Sequence, residues 1–384
     1  MARARILILG GGFGGLTAAL ELHRLAGERA DLLVVDASPS FLMGLRKLWL
    51  LDGRAGRAEG TRERARFAGG AIPFRQGQVK GIDLEARQVA VDGERLGYDF
   101  LIVALGAQAR PDMVPGGVEG GANLYAADDA EALGPQLAAL RRGRIVIAIV
   151  GLPYKCPPAP YEAAFLIDDL LRRTGRREAV EIEVLTPQPM SLPVAGPAAC
   201  ARVEGTMTLR QIRFRPKSTV ARVEATQVVL ADSTAVSADV VIYVPAHRPP
   251  AVVKESGLTA GGEWIRPDPE TLATSAEGVF AIGDVTEIPM PGGLTLPKAG
   301  VFAERQGEVV ARNVAAMMEG REPEARFDGR GYCFVELGDG QASMIEGAFL
   351  ADPPDITVVK PATEHLAAKM AFERERLERW FHAP

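Results

Sequence analysis

Short apolar runs, separated by helix-spaced apolar positions and glycine-rich turns, repeat along most of this chain. Arg5–Leu9 is a compact apolar run of the kind a parallel strand buried on both faces requires. Leu16–Leu25 then has helical spacing, and Asp31–Val35 is apolar again. Tyr98–Val103 is a further strand, ending at Ala104-Leu105-Gly106, where the chain leaves its first unit. The pattern then restarts. Arg144–Val150 predicts a strand, and Tyr161–Arg173 a helix with apolar positions at Ala164, Phe165, Ile167, Leu170 and Leu171. Val180–Leu185 and Val240–Val244 predict two more strands. An apolar strand leading to Gly283-Asp284 returns to the first unit, which runs on to about Met318. Beyond Phe327, Tyr332–Leu337 and Ala342–Phe349 predict two strands and Glu364–Phe381 a closing helix.

This order predicts an α/β protein with two doubly wound, Rossmann-like nucleotide-binding-type domains, the first split in sequence by the second. A small C-terminal α+β unit follows. The expected divisions are 1–108 and 251–322 for the two parts of the first domain, 109–250 for the NAD-domain-like insertion and 323–384 for the C-terminal unit. A chain of 384 residues is too long for one core and suits such a division.

Gly10-Gly11-Gly12-Phe13-Gly14-Gly15 stands between the first strand and the first helix, and Gly10, Gly12 and Gly15 fit G-x-G-x-x-G in that context. Glycines let the backbone approach a pyrophosphate, and the helix N-terminus adds free N–H groups and the positive end of its dipole. The next strand ends at Asp36, placed to accept hydrogen bonds from a ribose. Gly283-Asp284 puts a carboxylate beside a tight turn, suited to a ribityl hydroxyl. With Ala104 and Gly106 at the first exit, this resembles the FAD-binding pattern of two-dinucleotide-domain flavoproteins, and FAD is the expected cofactor.

The corresponding turn of the insertion is different: Gly151-Leu152-Pro153-Tyr154-Lys155-Cys156-Pro157-Pro158-Ala159-Pro160. Only Gly151 survives of a glycine loop, and four prolines have no N–H to offer a phosphate. Cys156 lies beside Lys155 and just ahead of a helix, which predicts a lowered thiol pKa and a thiolate. Cys333 sits on the first strand of the C-terminal unit, whereas Cys200, at the head of another helix, reads as structural.

A net charge of −5 argues against nucleic acid as the main partner. No run reaches the ~18 apolar residues of a membrane span. Met-Ala-Arg-Ala-Arg enters the first strand directly, which predicts no signal peptide. Three scattered cysteines and four scattered histidines make neither a disulfide framework nor a metal pattern, so no metal is expected. The arginines between Arg172 and Arg177 read as a solvated helix end.

The chain resembles the sulfide:quinone oxidoreductase and flavocytochrome c sulfide dehydrogenase family over nearly its whole length. The resemblance rests on Gly10–Gly15, the Lys155-Cys156-Pro157-Pro158 turn, Gly283-Asp284, Pro297-Lys298-Ala299-Gly300 and the Cys333 strand. It implies a Cys156–Cys333 redox disulfide over the isoalloxazine ring, Glu162 in proton transfer, and Lys298 stabilising anionic reduced flavin. It further implies hydrosulfide attack on the disulfide to give a persulfide and a thiolate, electrons passing to FAD, and quinone or a cytochrome as acceptor.

The chain also departs from the family. Tyr125 stands where many members carry a further cysteine, and Ser40–Gly44 lacks the flavin-attaching cysteine of the flavocytochrome branch. Non-covalent FAD is expected. The tail mixes Leu366, Met370, Leu377, Trp380 and Phe381 with balanced charges, and reads as a packing or homodimer helix. Peripheral contact with the inner face of the cell membrane is the alternative for a chain otherwise expected in the cytoplasm. Two other readings stay open: a type II NADH dehydrogenase-like enzyme, and a flavin-bearing electron-transfer subunit active only with a partner.

Overall fold

The computed structural model describes residues 3–382. The first sheet has five parallel strands in the order Val279–Ala281, Phe100–Val103, Ala4–Leu9, Ala30–Asp36 and Phe74–Gln76. Ile6 and Ile8 point into one core, while Leu7 and Leu9 point into another with Val35, Leu101 and Val103. Both faces are therefore covered, which is why the strand reads as an unbroken apolar run. Val279–Ala281 takes its place beside Phe100–Val103 although the whole insertion separates them in sequence. Helices Phe13–Ala26 and Gly300–Met318 cover one face together. They pack backbone to backbone: a Cβ on Gly307 would lie 2.6 Å from the Gly14 carbonyl oxygen.

The inserted unit repeats this plan. Its five parallel strands run Ala122–Asn123, Val240–Val244, Gly143–Ile149, Val180–Leu185 and Ile212–Arg215. Each unit also carries a three-stranded antiparallel meander, Val79–Asp83 to Glu94–Gly97 in one and Val220–Glu224 to Ala235–Ser237 in the other. The α/β reading is borne out. The edge strand Ile212–Arg215 escaped it because Arg213 and Arg215 interrupt the apolar pattern. Where the chain leaves the first unit and where it comes back, Gln108–Arg110 and Ala246–Arg248 pair antiparallel.

The C-terminal unit has three antiparallel strands rather than two: Arg330–Gly338, Gln341–Ala348 and Asp355–Ala362. The third runs straight into helix Thr363–Phe381 with no turn residues to announce it. Its edge position tolerates Pro361, whose missing N–H would break a central ladder.

Of the arginines expected to be solvated, Arg172 and Arg173 are exposed, whereas Arg176 and Arg177 are a correction. Arg176 and Arg177 are buried, and both are spent on main chain. Arg176 donates to the Leu137 and Leu140 carbonyls at 2.7 and 2.6 Å, closing a helix end. Arg177 donates to the Val180 and Arg210 carbonyls and pairs with the buried Asp168 carboxylate.

Candidate active site

The glycine-rich turn is shaped by close approach. Gly10 has φ +106°, and a Cβ there would lie 2.1 Å from the Ala104 carbonyl oxygen. A Cβ on Gly15 would lie 1.9 Å from the Gly10 oxygen. These two glycines build the turn. Gly12, Phe13 and Gly14 instead line a cavity of about 420 Å³ that runs past all three units. A Cβ on Gly12 would meet nothing within 4 Å, so the backbone opens directly into that space. Helix Phe13–Ala26 starts here, and its first-turn N–H groups have no partner within the helix. The Asp36 carboxylate accepts from Gly11 N at 2.7 Å and Ser38 N at 2.9 Å, and its remaining lone pairs face the same cavity. Arg64, 3.4 Å from Asp36, donates to the Gly11 carbonyl and lines the cavity too.

Ala104, Gly106, Gly283, Asp284 and Lys298 line its middle. Gly283 takes φ +73° and donates its N–H to Gln306 at 2.7 Å, which fixes the turn that presents Asp284. Lys298 donates to the Asp284 and Thr286 carbonyls at 3.0 and 2.8 Å, and its ammonium lies 3.4 Å above the centre of the Trp264 ring. Burial pushes this lysine down to about 8, against the attraction of Asp284 and Glu287.

Cys156, Glu162 and Cys333 line the same cavity. Cys156 is brought there by a turn in which it adopts φ +51° and donates its N–H to the Lys298 carbonyl at 2.7 Å. Cys333 arrives on strand Arg330–Gly338, against which helix Ala159–Arg173 packs. Both cysteines are free thiols in the structure.

The expected thiolate at Cys156 is corrected. Burial, followed by the charge of Glu162, pushes this thiol up to about 12. Lys369 and the Ala159 N–H at the helix N-terminus pull the other way, and burial outweighs both. Lys155 lines the same wall and donates its ammonium to the Ala107 carbonyl at 3.3 Å. Ala159 N donates to the Cys156 carbonyl at 2.9 Å and Pro160 has no N–H. Cys333 is raised as well, by burial and then by Cys156.

Glu162 belongs to a buried ion network. One of its oxygens accepts from Lys369 Nζ at 2.7 Å and from Glu336 N at 2.8 Å. Lys369 also donates to the Glu336 carboxylate at 2.9 Å, and that carboxylate accepts Trp49 Nε1 at 3.0 Å and pairs with Arg54. Burial raises the Glu162 carboxyl above its ordinary value although Lys369 pulls the other way. Lys369 is held above the usual lysine value: burial opposes this, but Glu162 and Glu336 outweigh it.

Lys369, Arg64, Lys47 and Trp264 were not singled out from the sequence. Each acquires its meaning from a partner far away in the chain. Cys200 is buried in helix Gly196–Leu209, where its sulfur accepts Leu192 N at 3.3 Å, away from the cavity. Tyr125 lines the cavity and donates its hydroxyl to the Lys155 carbonyl.

An open glycine cradle at a helix N-terminus, a carboxylate at the end of the second strand and a second carboxylate beside a tight turn fit FAD and define a flavoprotein oxidoreductase. The sequence model of the pyridine nucleotide-disulphide oxidoreductases matches residues 4–316, and the chain belongs to that family. It is 25% identical to the mitochondrial sulfide:quinone oxidoreductase of Mus musculus over 367 residues, 91% of this chain and 79% of that protein. It is 26% identical to the alternative NAD(P)H-ubiquinone oxidoreductase C1 of Arabidopsis thaliana, over 96% of this chain and 77% of that one. The solved sulfide:quinone oxidoreductase of Aquifex aeolicus superposes with a TM-score of 0.86 at 20% identity, over 98% of this chain and 91% of that one. The expected resemblance and the FAD cofactor are thereby borne out.

Proposed function

We propose that this flavoenzyme oxidises sulfide, or a small persulfide, through Cys156 and Cys333, and delivers the electrons to a quinone. The observation that carries the reading is the meeting of these cysteines, from the inserted and C-terminal units, with Glu162 on one cavity. In the oxidised resting form the two sulfurs are bonded. Hydrosulfide attacks one of them, the S–S bond breaks, and the products are a persulfide on one cysteine and a thiolate on the other. The persulfide proton passes to Glu162, which burial keeps a stronger base than an ordinary carboxylate. Re-forming the disulfide releases zero-valent sulfur and two electrons. Bound FAD supplies the two-electron acceptor, held non-covalently by the Gly12 cradle, Asp36 and Asp284. Burial raises both thiols, which disfavours the thiolate product.

The acceptor reading rests on the cavity wall. Phe41, Tyr332, Phe334 and Phe372 line one side, an aromatic surface suited to a flat quinone ring rather than to a protein.

The NADH reading draws on the Arabidopsis thaliana relative. Against it, helix Ala159–Arg173 has no N–H left for a pyrophosphate: Ala159 is bonded, Pro160 has none, and Tyr161 and Glu162 both donate to the Pro158 carbonyl. Anaerobic titration of the yellow protein with sulfide and, separately, NADH decides the matter. Sulfide should bleach the flavin and decylubiquinone restore it, while Cys156→Ser keeps FAD and loses the bleaching. Bleaching of Cys156→Ser at the wild-type rate ends the disulfide mechanism, and rapid bleaching by NADH favours the second reading.

A further inference from the structure

Lys47 lies on helix Arg46–Leu51, in the first unit, yet its side chain reaches the cavity wall that carries Lys155 and Cys156. Among the described residues neither Lys47 nor Lys155 pairs with a carboxylate; Lys155 has only the Ala107 carbonyl. Both lysines line the same stretch of the cavity wall. Burial, then repulsion from Lys155, pushes Lys47 down to about 8, and only the Cys156 sulfur pulls it back. Burial, then the charge of Lys155, keeps His247 neutral. Its ring packs edge-on against Tyr125, 4.9 Å between centres, and Tyr125 holds the Lys155 carbonyl with its hydroxyl. The other cation near the thiol, Lys369, is committed to Glu162 and Glu336. Two half-buried, unpaired cations on one wall are unfavourable unless an anion visits them.

We infer that Lys47 and Lys155 form an anion-attracting face beside Cys156, which draws a small sulfur anion to that thiol and discriminates against its neutral form. This deepens the sulfide reading and rests on it for the identity of the anion. Hydrosulfide, not dihydrogen sulfide, is then the species captured, and Cys156 is the sulfur that meets it. Neither lysine takes part in bond making; both position a charge.

The test does not use sulfide. In a Cys333→Ser background Cys156 stays a free thiol in the FAD-loaded protein, and Cys200 is buried. Cys156 is alkylated with iodoacetate and with iodoacetamide, and the modified peptide is quantified by mass spectrometry. Both reagents need the same thiolate, so the ratio of the two rates reports only the field acting on the anionic reagent. Iodoacetate should be favoured over a free thiol's ratio, and Lys47→Met should lower that preference by about fivefold. Lys155→Met should lower it as well, Lys47→Arg should keep it, and high salt should collapse it in the parent. The flavin spectrum shows that each variant is folded. A ratio unchanged in Lys47→Met and Lys155→Met, or unaffected by salt, overturns the proposal. A charge-dependent ratio in a protein that sulfide fails to bleach supports the anion face and ends the sulfide reading instead.

Discussion

Lys369 is 2% exposed and holds two carboxylates from different units, Glu162 of the insertion and Glu336 of the C-terminal sheet. Removing one member of a buried ion set leaves the others uncompensated, which typically costs about 3–5 kcal/mol. Lys369→Met should therefore lower the denaturation midpoint markedly, and adding Glu162→Gln should recover part of the loss, because the two sites are coupled. Equal and additive losses in guanidinium titrations would mean that the contact contributes little. Glu162 itself should set the acid limb of sulfide-driven bleaching, at a pH above the ordinary 4.5, because burial raises it. Stopped-flow bleaching across pH should show that limb in the parent and not in Glu162→Gln. The Cys156 turn was readable because its meaning is local: prolines, a cysteine and a missing glycine loop stand within ten residues. The thiol's elevated pKa was not, since it depends on what closes over it. Lys369 looked like one more charge on an amphipathic tail, and nothing near it in sequence says that it faces inward.

At the scale of elements, the glycine-rich turn and the tail helix are tied to one another. Phe13, in the turn, meets Trp380 at 5.1 Å and Phe372 at 6.1 Å between ring centres, and Trp380 is fully buried. The tail thus packs down on the nucleotide turn through Phe372 and Trp380. That agrees with the packing-helix expectation, and no helix among the described residues is long and apolar enough to cross a membrane. Trp380→Ala should cost about 3–5 kcal/mol in chemical denaturation. It should also loosen FAD, seen as faster flavin loss on dilution. A variant that loses stability but holds FAD as tightly would show the helix and turn to be energetically separate. Gly15→Ala acts on the turn alone: with a Cβ 1.9 Å from the Gly10 oxygen, the protein should purify with little flavin absorbance. The turn was legible in the sequence because its glycines have fixed spacing. The contact with the tail was not, because aromatic pairs so distant in sequence leave no periodic signal.

Taken as a whole, the molecule brings three units onto one cavity, and the crossing between the first two runs through the ribbon Gln108–Arg110 with Ala246–Arg248. The doubly wound plan was legible because buried parallel strands read as continuous apolar runs; the ribbon, too short for any period, was not. His247 sits in that ribbon, fully buried, with Nδ1 against the Pro245 carbonyl at 3.1 Å and Nε2 without a partner among the described residues. Burial, with the charges of Lys155, Lys47 and Lys298, pushes the ring from its ordinary 6.5 down to about 3. In the unfolded chain the imidazole takes up its proton near 6.5, whereas the folded protein resists until about 3. The unfolded state therefore binds more protons across that interval, and stability rises with pH there. The contribution is complete above 6.5 and is lost as pH falls through the window towards 3. His247→Phe keeps an aromatic ring against Tyr125 and removes the titration. Its unfolding free energy should fall less steeply than the parent's between about pH 7 and about pH 4.5, even if it begins lower for want of the Pro245 hydrogen bond. Urea titrations at several pH values measure both slopes. Parallel curves would show that protonation of the ribbon histidine does not govern acid opening, and would leave the carboxylates of the ion network as its source.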